Sequence, residues 1–189
     1  MHKKSFPEVL KTERLTLRCY REEDAAGVLK LANENHALLI REFAQNAALR
    51  TLAQAQSFIS EKREQRSAAR TWCYGIWLTG SEDPIGQIQV KNVAWDIPAA
   101  ELGYFIIQAQ QGNGYAPEAI REILRVAFQE LEFERIFVRI LPTNSKSLAL
   151  ANKIGFQPEG VLRRAFRCGL GELHDLHYLS LIRGECAAS

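Results

Sequence analysis

The chain has 189 residues, of which 47% are hydrophobic, so it can bury the core of one compact domain that spans residues 1–189. Lysine plus arginine exceed aspartate plus glutamate by only 24 − 22 = 2, which argues neither for a nucleic-acid partner nor for a strongly acidic one, and we expect no nucleic-acid partner. No apolar run approaches the roughly 20 residues that a membrane span needs, and residues 1–5 are not followed by the apolar segment of a signal peptide. We therefore expect a cytoplasmic protein that does not contact membranes.

The first half of the chain predicts one strand, two helices and then an antiparallel meander. Alternating polar and apolar residues favour strands, and acidic residues favour the start of a helix. The segment 33–52 gives poor signals and could form either a helix or a loop on the substrate side. The predicted elements are a strand at 13–18, a helix that starts at 21–24, a helix at about 52–67, and strands at 72–78, 85–90 and 100–107.

The second half predicts a long amphipathic helix over 116–131, because apolar residues recur there at helical spacing. A β-branched strand follows at 136–141, and then a short helix at about 145–153 that Gly155 is placed to end. The chain closes with a pair of strands at 156–166 and 173–181.

The turn before the long helix predicts an anion site. Gly112 and Gly114 allow the backbone to turn sharply, so that successive N–H groups can point at one oxyanion such as a pyrophosphate. Pro117 suits the first turn of a helix, and Glu118 favours the positive end of the helix dipole. The pattern is neither a P-loop nor a dinucleotide fingerprint. Taken alone, it could also be an ordinary connection between a strand and a helix.

The four cysteines are scattered and form no C-x-x-C pair; they are Cys19, Cys73, Cys168 and Cys186. We expect reduced thiols without a role as metal ligands or nucleophiles. His174 and His177 are three residues apart on a predicted strand, so they point to opposite faces and make a poor metal pair. The sequence therefore predicts no metal site.

Two motifs together resemble a known family. Residues 111–116 read Q-G-N-G-Y-A and match the Q/R-x-x-G-x-G/A signature of the GNAT acetyltransferases. Residues 144–147 read N-S-K-S and lead into K-I-G-F at 153–156, which is similar to the N-x-x-S…K-x-G-F of the Rim-type ribosomal-protein N-acetyltransferases. An R-L-x-L-R opening at 14–18 before an acidic helix start is also similar to that branch. The resemblance spans roughly residues 14–181.

This resemblance implies an α+β, GNAT-like fold with a central, mostly antiparallel twisted sheet of about seven strands, flanked by about four helices. One parallel pair of strands, Leu102–Ile107 and Ile136–Leu141, would splay apart and hold acetyl-CoA. The strand backbone would pair with the pantetheine arm, and the glycine turn would bind the pyrophosphate. The implied cofactor-binding residues are Phe105, Ile106, Ile107, Gln111, Gly112, Asn113, Gly114, Tyr115, Ala116, Asn144 and Ser147.

The resemblance also implies catalytic residues. Ser147 would protonate or stabilise the departing thiolate, because Ala151 occupies the position where other branches place an acidic tyrosine. Alternatively, Ser145 caps the short helix, Asn144 is a plain turn residue and Ser147 is an exposed first-turn residue. Glu101 is the first choice for the base that acts through water, although it could be an ordinary surface carboxylate.

Two further carboxylates match acidic positions of the resembled pattern. Glu159 could serve a turn, and Asp175 could make a structural hydrogen bond instead of taking part in catalysis.

The acceptor is a primary amine by resemblance, and the favoured one is the N-terminal α-amine of a protein, with a ribosomal protein as a candidate. A small-molecule amine such as a polyamine, an amino acid or an antibiotic remains open, because one scaffold can host many acceptors. A non-catalytic acyl-CoA-binding module or a different nucleotide-binding domain would also use the glycine turn. A homodimer through the C-terminal strands is an open possibility.

Overall fold

The computed structural model describes residues 5–43 and 49–185. Three sets of residues used in the sequence predictions lie outside the described residues. They are residues 1–4, Cys186, and residues 44–48 of the segment 33–52. Among the described residues, no helix is both long enough and apolar enough to cross a membrane.

One mixed sheet of eight strands organises the described chain, in the order β1-β2-β3-β4-β5-β6-β8-β7. Every neighbouring pair is antiparallel except β5 and β6, which are parallel. The strands are β1 (Val9–Lys11), β2 (Leu15–Cys19), β3 (Trp72–Leu78), β4 (Gly86–Ala94), β5 (Ala99–Ile106), β6 (Arg135–Ile140), β7 (Gln157–Arg167) and β8 (Leu173–Ile182).

Five α-helices are present in the described residues: α1 (Ala25–Glu34), α2 (His36–Glu42), α3 (Leu52–Ser67), α4 (Tyr115–Arg125) and α5 (Ser145–Ile154). The long predicted helix is confirmed, but it ends in a π-helical turn at Val126–Glu130. Gly155 ends α5 in the left-handed conformation, at φ 113°, as the sequence predicts.

The expected α+β architecture with one parallel pair is confirmed, with one more strand and one more helix than the sequence indicates. The additional strand β1 has three residues and buries only Leu10 between exposed neighbours, so its sequence carries little period-two signal. The additional helix α2 has seven residues and lies in the segment whose signals are poor.

Helices cover both faces of the sheet. The position of β3 between them explains why its sequence is almost continuously apolar. Trp72, Tyr74 and Ile76 pack into the hydrophobic core beneath α4. Cys73 and Trp77 point to the opposite face, where they join the core formed with α1 and α3. A strand that is buried on both faces must be apolar at nearly every position.

The parallel pair opens a gap in the middle of the sheet. The β5–β6 ladder holds only from Ala99–Arg135 to Glu101–Phe137. Beyond that point β5 stays paired with β4 as far as Ile106, and β6 stays paired with β8 as far as Ile140. Residues 102–106 of β5 therefore have an unpaired edge on the side of β6, which is the splay that the resemblance implies.

Glu118 fixes the start of α4 against the N-terminal strands. One oxygen accepts hydrogen bonds from Thr12 Oγ1 at 2.5 Å and from the Arg14 backbone N–H at 3.0 Å, and the other accepts from Arg14 Nε at 2.7 Å. Partial burial acts to raise the pKa of Glu118, but these hydrogen bonds outweigh it and hold the pKa below the usual value for glutamate. The sequence indicates only that Glu118 interacts favourably with the helix dipole, whereas the structure shows that it also links α4 to Thr12 and Arg14.

We expect Glu118→Gln to lower the free energy of unfolding by about 1–2 kcal/mol at pH 7, because charge-assisted hydrogen bonds are lost. A pKa lowered in the folded state stabilises above the unfolded pKa, and this contribution disappears as pH falls through the folded pKa. Urea unfolding at pH 7 and at pH 3 should therefore show a clear difference from wild type at pH 7 that shrinks at pH 3. The exposed Glu64→Gln on α3 is the control, and an equal difference at both pH values would contradict this account.

Candidate active site

A cavity of about 530 Å³ lies between the free end of β5, the glycine turn and the start of α5. Most of the residues predicted to bind the cofactor line it together; they are Phe105, Ile106, Gln111, Gly112, Gly114, Tyr115, Ala116, Asn144 and Ser147. Ile107 and Asn113 do not line it. The Ile107 N–H donates to Ile85 O at 2.9 Å, so this group points away from the gap, toward β4.

The glycine turn at the edge of this cavity has unpaired donors. Gly112 and Gly114 have φ of 84° and 82°, a conformation that non-glycine residues rarely adopt. In the described part of the chain, the backbone N–H groups of Gly112, Asn113 and Gly114 donate no hydrogen bond. These groups lie at the N-terminus of α4, where the helix dipole favours an anion. The turn therefore suits a phosphate group.

Lys146 brings a positive charge to the same cavity. Its Nζ donates to Gln111 Oε1 at 3.2 Å, and Gln111 Nε2 donates to Ile106 O at 3.0 Å. Gln111 thus links both sequence motifs to the free end of β5. Lys146 is not among the residues predicted from the sequence to bind the cofactor, although it lies inside the N-S-K-S motif, where a lysine beside a predicted phosphate turn is a usable signal.

Asn144 is the residue that caps α5. Its Oδ1 accepts a hydrogen bond from the Ser147 backbone N–H at 3.0 Å. The alternative in which Ser145 caps the helix is wrong, and Asn144 is more than a plain turn residue. Its Nδ2 donates to Glu42 Oε2 on α2, so one side chain joins two helices.

A second cavity of about 320 Å³ lies beside the first, between β5 and β6. Among the described residues, four line both cavities: Glu42, Tyr104, Asn144 and Ser147. Ser147 therefore lies where the two spaces meet. A ligand in one cavity and a ligand in the other would come together at this junction.

Glu101 lines only the second cavity and is 4% exposed. Its Oε1 pairs with Lys91 Nζ at 3.2 Å, and its Oε2 accepts from Asn92 Nδ2 and from Arg139 Nη2, each at 2.7 Å. It is not the ordinary surface carboxylate of the alternative interpretation. Because Lys91 and Asn92 belong to β4 and Arg139 belongs to β6, the carboxylate ties three strands together where the sheet opens.

Tyr104 has a buried hydroxyl without a hydrogen-bond partner in the described chain. Burial raises the pKa of Tyr104 to about 12, against an opposing effect of the nearby Ser147 hydroxyl, which does not reach hydrogen-bonding geometry. The phenol is therefore protonated at neutral pH and can donate a hydrogen bond at the junction. The sequence shows only a tyrosine in an apolar strand and gives no signal for this role.

The remaining candidates have structural partners. Glu159 accepts from Ser180 Oγ at 2.5 Å and pairs with Arg135, and these contacts lie away from both cavities. Asp175 accepts from the Arg164 backbone N–H at 2.7 Å, within the irregular stretch of the β7–β8 ladder. This is the structural hydrogen bond that the sequence left open.

One group of three side chains could hold a metal ion, although the sequence predicts no metal site. The ligand atoms of Cys168, Glu172 and His174 lie within 4.8 Å of one another, where the chain turns from β7 to β8. The absence of a metal therefore stays a prediction. The cysteines of the described chain, Cys19, Cys73 and Cys168, are free thiols.

Comparison with known proteins yields one family and several relatives. A family model for the acetyltransferase (GNAT) domain matches residues 14–157. The uncharacterized N-acetyltransferase p20 of Bacillus licheniformis is 27% identical over 180 residues, which cover 95% of this chain and 99% of that protein. The [ribosomal protein uS5]-alanine N-acetyltransferase of Escherichia coli is 28% identical over 167 residues, 84% of each chain.

Solved structures share the fold. Mycobacterium smegmatis RimJ in complex with CoA-disulfide matches with a TM-score of 0.85 at 24% identity, over 94% of this chain and 85% of that one. The eight-stranded sheet and its parallel pair therefore belong to a known architecture.

We expect Tyr104→Phe to leave the free energy of unfolding unchanged or to raise it by up to about 1 kcal/mol, because it removes a buried hydroxyl that has no partner. Tyr74→Phe is the matched control, since the Tyr74 hydroxyl donates to Pro7 O at 2.6 Å, and it should lose about 1 kcal/mol. Urea unfolding of both variants provides the measurement. Equal destabilisation by the two substitutions would show that the Tyr104 hydroxyl is needed for the fold.

Proposed function

Since the chain belongs to the GNAT acetyltransferase family, we propose that it transfers the acetyl group of acetyl-CoA to the N-terminal α-amine of a protein, with a ribosomal protein as the favoured acceptor. The observation that carries this proposal is the meeting of two cavities at Ser147, one with a phosphate turn and the other open to an acceptor. The acceptor class follows from relatives such as the E. coli enzyme that is named for acetylating an alanine of ribosomal protein uS5. We also propose that residues 1–189 act as one domain.

Acetyl-CoA suits the larger cavity for three reasons. The unpaired N–H groups of residues 112–114 and the ammonium of Lys146 would bind its phosphates. Backbone groups alternate along a strand and those of Ile107 point to β4, so the free edge of β5 is formed by Tyr104 and by the Ile106 N–H. This edge would pair with the amides of the pantetheine arm, as an added strand would. The thioester would then lie near the junction with the second cavity. A metal is not needed for this chemistry.

The reaction needs a neutral amine in line with the thioester carbonyl, and it needs a donor for the departing sulfur. Ser147 is placed at the junction, and its backbone N–H is already engaged by Asn144, so its hydroxyl is the part left to act on the sulfur. A donor directed at the carbonyl would stabilise the developing oxyanion. Tyr104 can supply such a hydrogen bond, because its phenol stays protonated.

Two minor expectations accompany this function. We propose a cytoplasmic location, which three free cysteines in the described chain support, because thiols persist in reducing compartments. A homodimer through β7 is a further proposal, since β7 is an edge strand of the sheet.

Calorimetric titration with acetyl-CoA tests this function, with ATP and NAD as controls. We expect acetyl-CoA to bind with micromolar affinity and the controls not to bind. Thiol release is then measured with a panel of N-terminal peptides and with a panel of polyamines, amino acids and aminoglycosides. Release with peptides alone supports the proposal, whereas release with only the small amines would replace the acceptor class.

Ser147→Ala separates an enzyme from a non-catalytic binding module. We expect turnover to fall roughly 10²-fold, as is typical for the loss of an acid catalyst, while acetyl-CoA affinity stays within about twofold. Ser145→Ala, which changes the first residue of the same helix, is the control and should keep the turnover of wild type. Unchanged turnover in Ser147→Ala would remove this residue from the mechanism.

A further inference from the structure

We propose that the second cavity binds the acceptor as a singly charged ammonium and that Glu42, rather than Glu101, receives this ammonium and takes its proton. This inference rests on the proposed acetyl transfer and names the residue that prepares the amine. Glu42 lies at the C-terminal end of α2 and lines both cavities. It is thus the carboxylate at the junction where the thioester and the amine must meet.

The carboxylate of Glu42 is largely free to act. Among the described residues, it accepts one hydrogen bond, from Asn144 Nδ2. Glu101 accepts from Asn92 and pairs with Lys91 and Arg139, so both of its oxygens are engaged. A proton arriving at Glu101 would displace one of these partners. Glu101 therefore suits a structural role at the splay better than proton transfer.

Glu42 is also in a place that disfavours an uncompensated negative charge. The C-terminus of a helix carries the negative end of the dipole, and Glu42 is the last residue of α2. Burial raises the pKa of Glu42 above the usual value for glutamate, against opposing effects of the Arg41 charge and the Asn144 hydrogen bond. An ammonium ion beside Glu42 would supply the missing positive charge.

The other charges of the second cavity limit which amines fit. Lys91, Arg139 and Arg167 line it together with Glu42 and Glu101, so its charged side chains include three cations and two acids. Glu101 is compensated by Lys91 and Arg139, which leaves Arg167, whose Nη1 donates to Gly171 O at 2.7 Å, as the third cation of the same cavity. A polyamine would bring further positive charges toward Arg167. A peptide N-terminus brings one ammonium followed by carbonyl groups, which can accept hydrogen bonds from an arginine.

The proton and electron pairs balance in a direct transfer. Glu42 takes one proton from the –NH₃⁺ group, and the freed lone pair of the nitrogen forms a C–N bond to the thioester carbon. The C–S bond breaks, and the sulfur leaves with its electron pair. The Ser147 hydroxyl supplies a proton to the departing thiolate. The second proton leaves the nitrogen as the amide forms, and it restores the Ser147 hydroxyl. The proton held by Glu42 returns to solvent.

The test is the pH dependence of kcat/KM for Glu42→Gln with an N-terminal peptide. The glutamine keeps an oxygen for the Asn144 hydrogen bond but cannot take a proton. Wild type can use the ammonium form, whereas the variant depends on amine that is already neutral, and a free α-amine titrates at about 7.7–8.0. We expect a loss of roughly 10²-fold at pH 6.5 that shrinks toward pH 9, as is typical for the loss of a general base.

Three comparisons make this test decisive. Glu34→Gln, an exposed carboxylate in α1 outside both cavities, should keep the wild-type profile. Calorimetry should show the same acetyl-CoA affinity, within about twofold, for Glu42→Gln and wild type, because the substitution spares the phosphate turn. Glu101→Gln should lower the thermal unfolding temperature without producing the pH-dependent loss of Glu42→Gln.

The outcomes separate the two proposals. If wild type binds acetyl-CoA but none of the amines tested causes release of the thiol, the proposed function fails. If wild type is active and Glu42→Gln follows the same pH profile, the assignment of Glu42 is wrong while the function stands. Acetylation of spermidine with a kcat/KM equal to that of the peptide would contradict the proposal that the acceptor carries a single positive charge.

Discussion

The short parallel ladder between β5 and β6 is the constraint on which the rest of the site depends. It holds for three residue pairs and stops at Glu101–Phe137. Had the strands stayed paired, the backbone of residues 102–106 would be satisfied within the sheet and no cleft would exist. Because they part, one strand end is free for an added ligand strand, and the space beside it becomes the second cavity.

The glutamate at that point shows how the fold keeps the opening in place. A buried carboxylate without partners would be costly, but Glu101 has cationic partners from β4 and β6. Since these partners come from strands on either side, the carboxylate holds the sheet together directly before the gap. Asn144 does the same on the helical side, where it caps α5 and binds Glu42 of α2. The cleft is thus bordered by polar contacts that fix its walls.

Local patterns in the sequence were enough to predict most of the individual strands and helices, whereas the sheet with its parallel pair was implied by the family resemblance. The strand-like run at 72–78, the glycine turn and the helix at 52–67 correspond to β3, the start of α4 and α3, because each depends on residues close in the chain. The strand β1 and the helix α2 are too short to carry a periodic signal. Their positions follow from packing against the rest of the fold.

The site was predicted only in part, for a physical reason. The phosphate turn and Ser147 lie in contiguous motifs, so sequence alone marks them. Glu42 meets Asn144 across 102 positions of the chain, and the Tyr104 hydroxyl is significant only because it is buried beside Ser147. Glu101 was singled out as a base, but its three partners become visible only when β4 and β6 are assembled around it.

The most direct test of this account is an amide NMR titration of the ¹⁵N-labelled protein with acetyl-CoA. The account predicts that the signals of Gly112, Asn113 and Gly114 move most, as their unpaired N–H groups bind phosphate, and that the signals of Tyr104 and Ile106 move with them as the free edge of β5 gains a partner. The signals of β1 and β2 should stay in place. Large shifts elsewhere, with the glycine turn unmoved, would contradict the assignment of the cleft as the acetyl-CoA site.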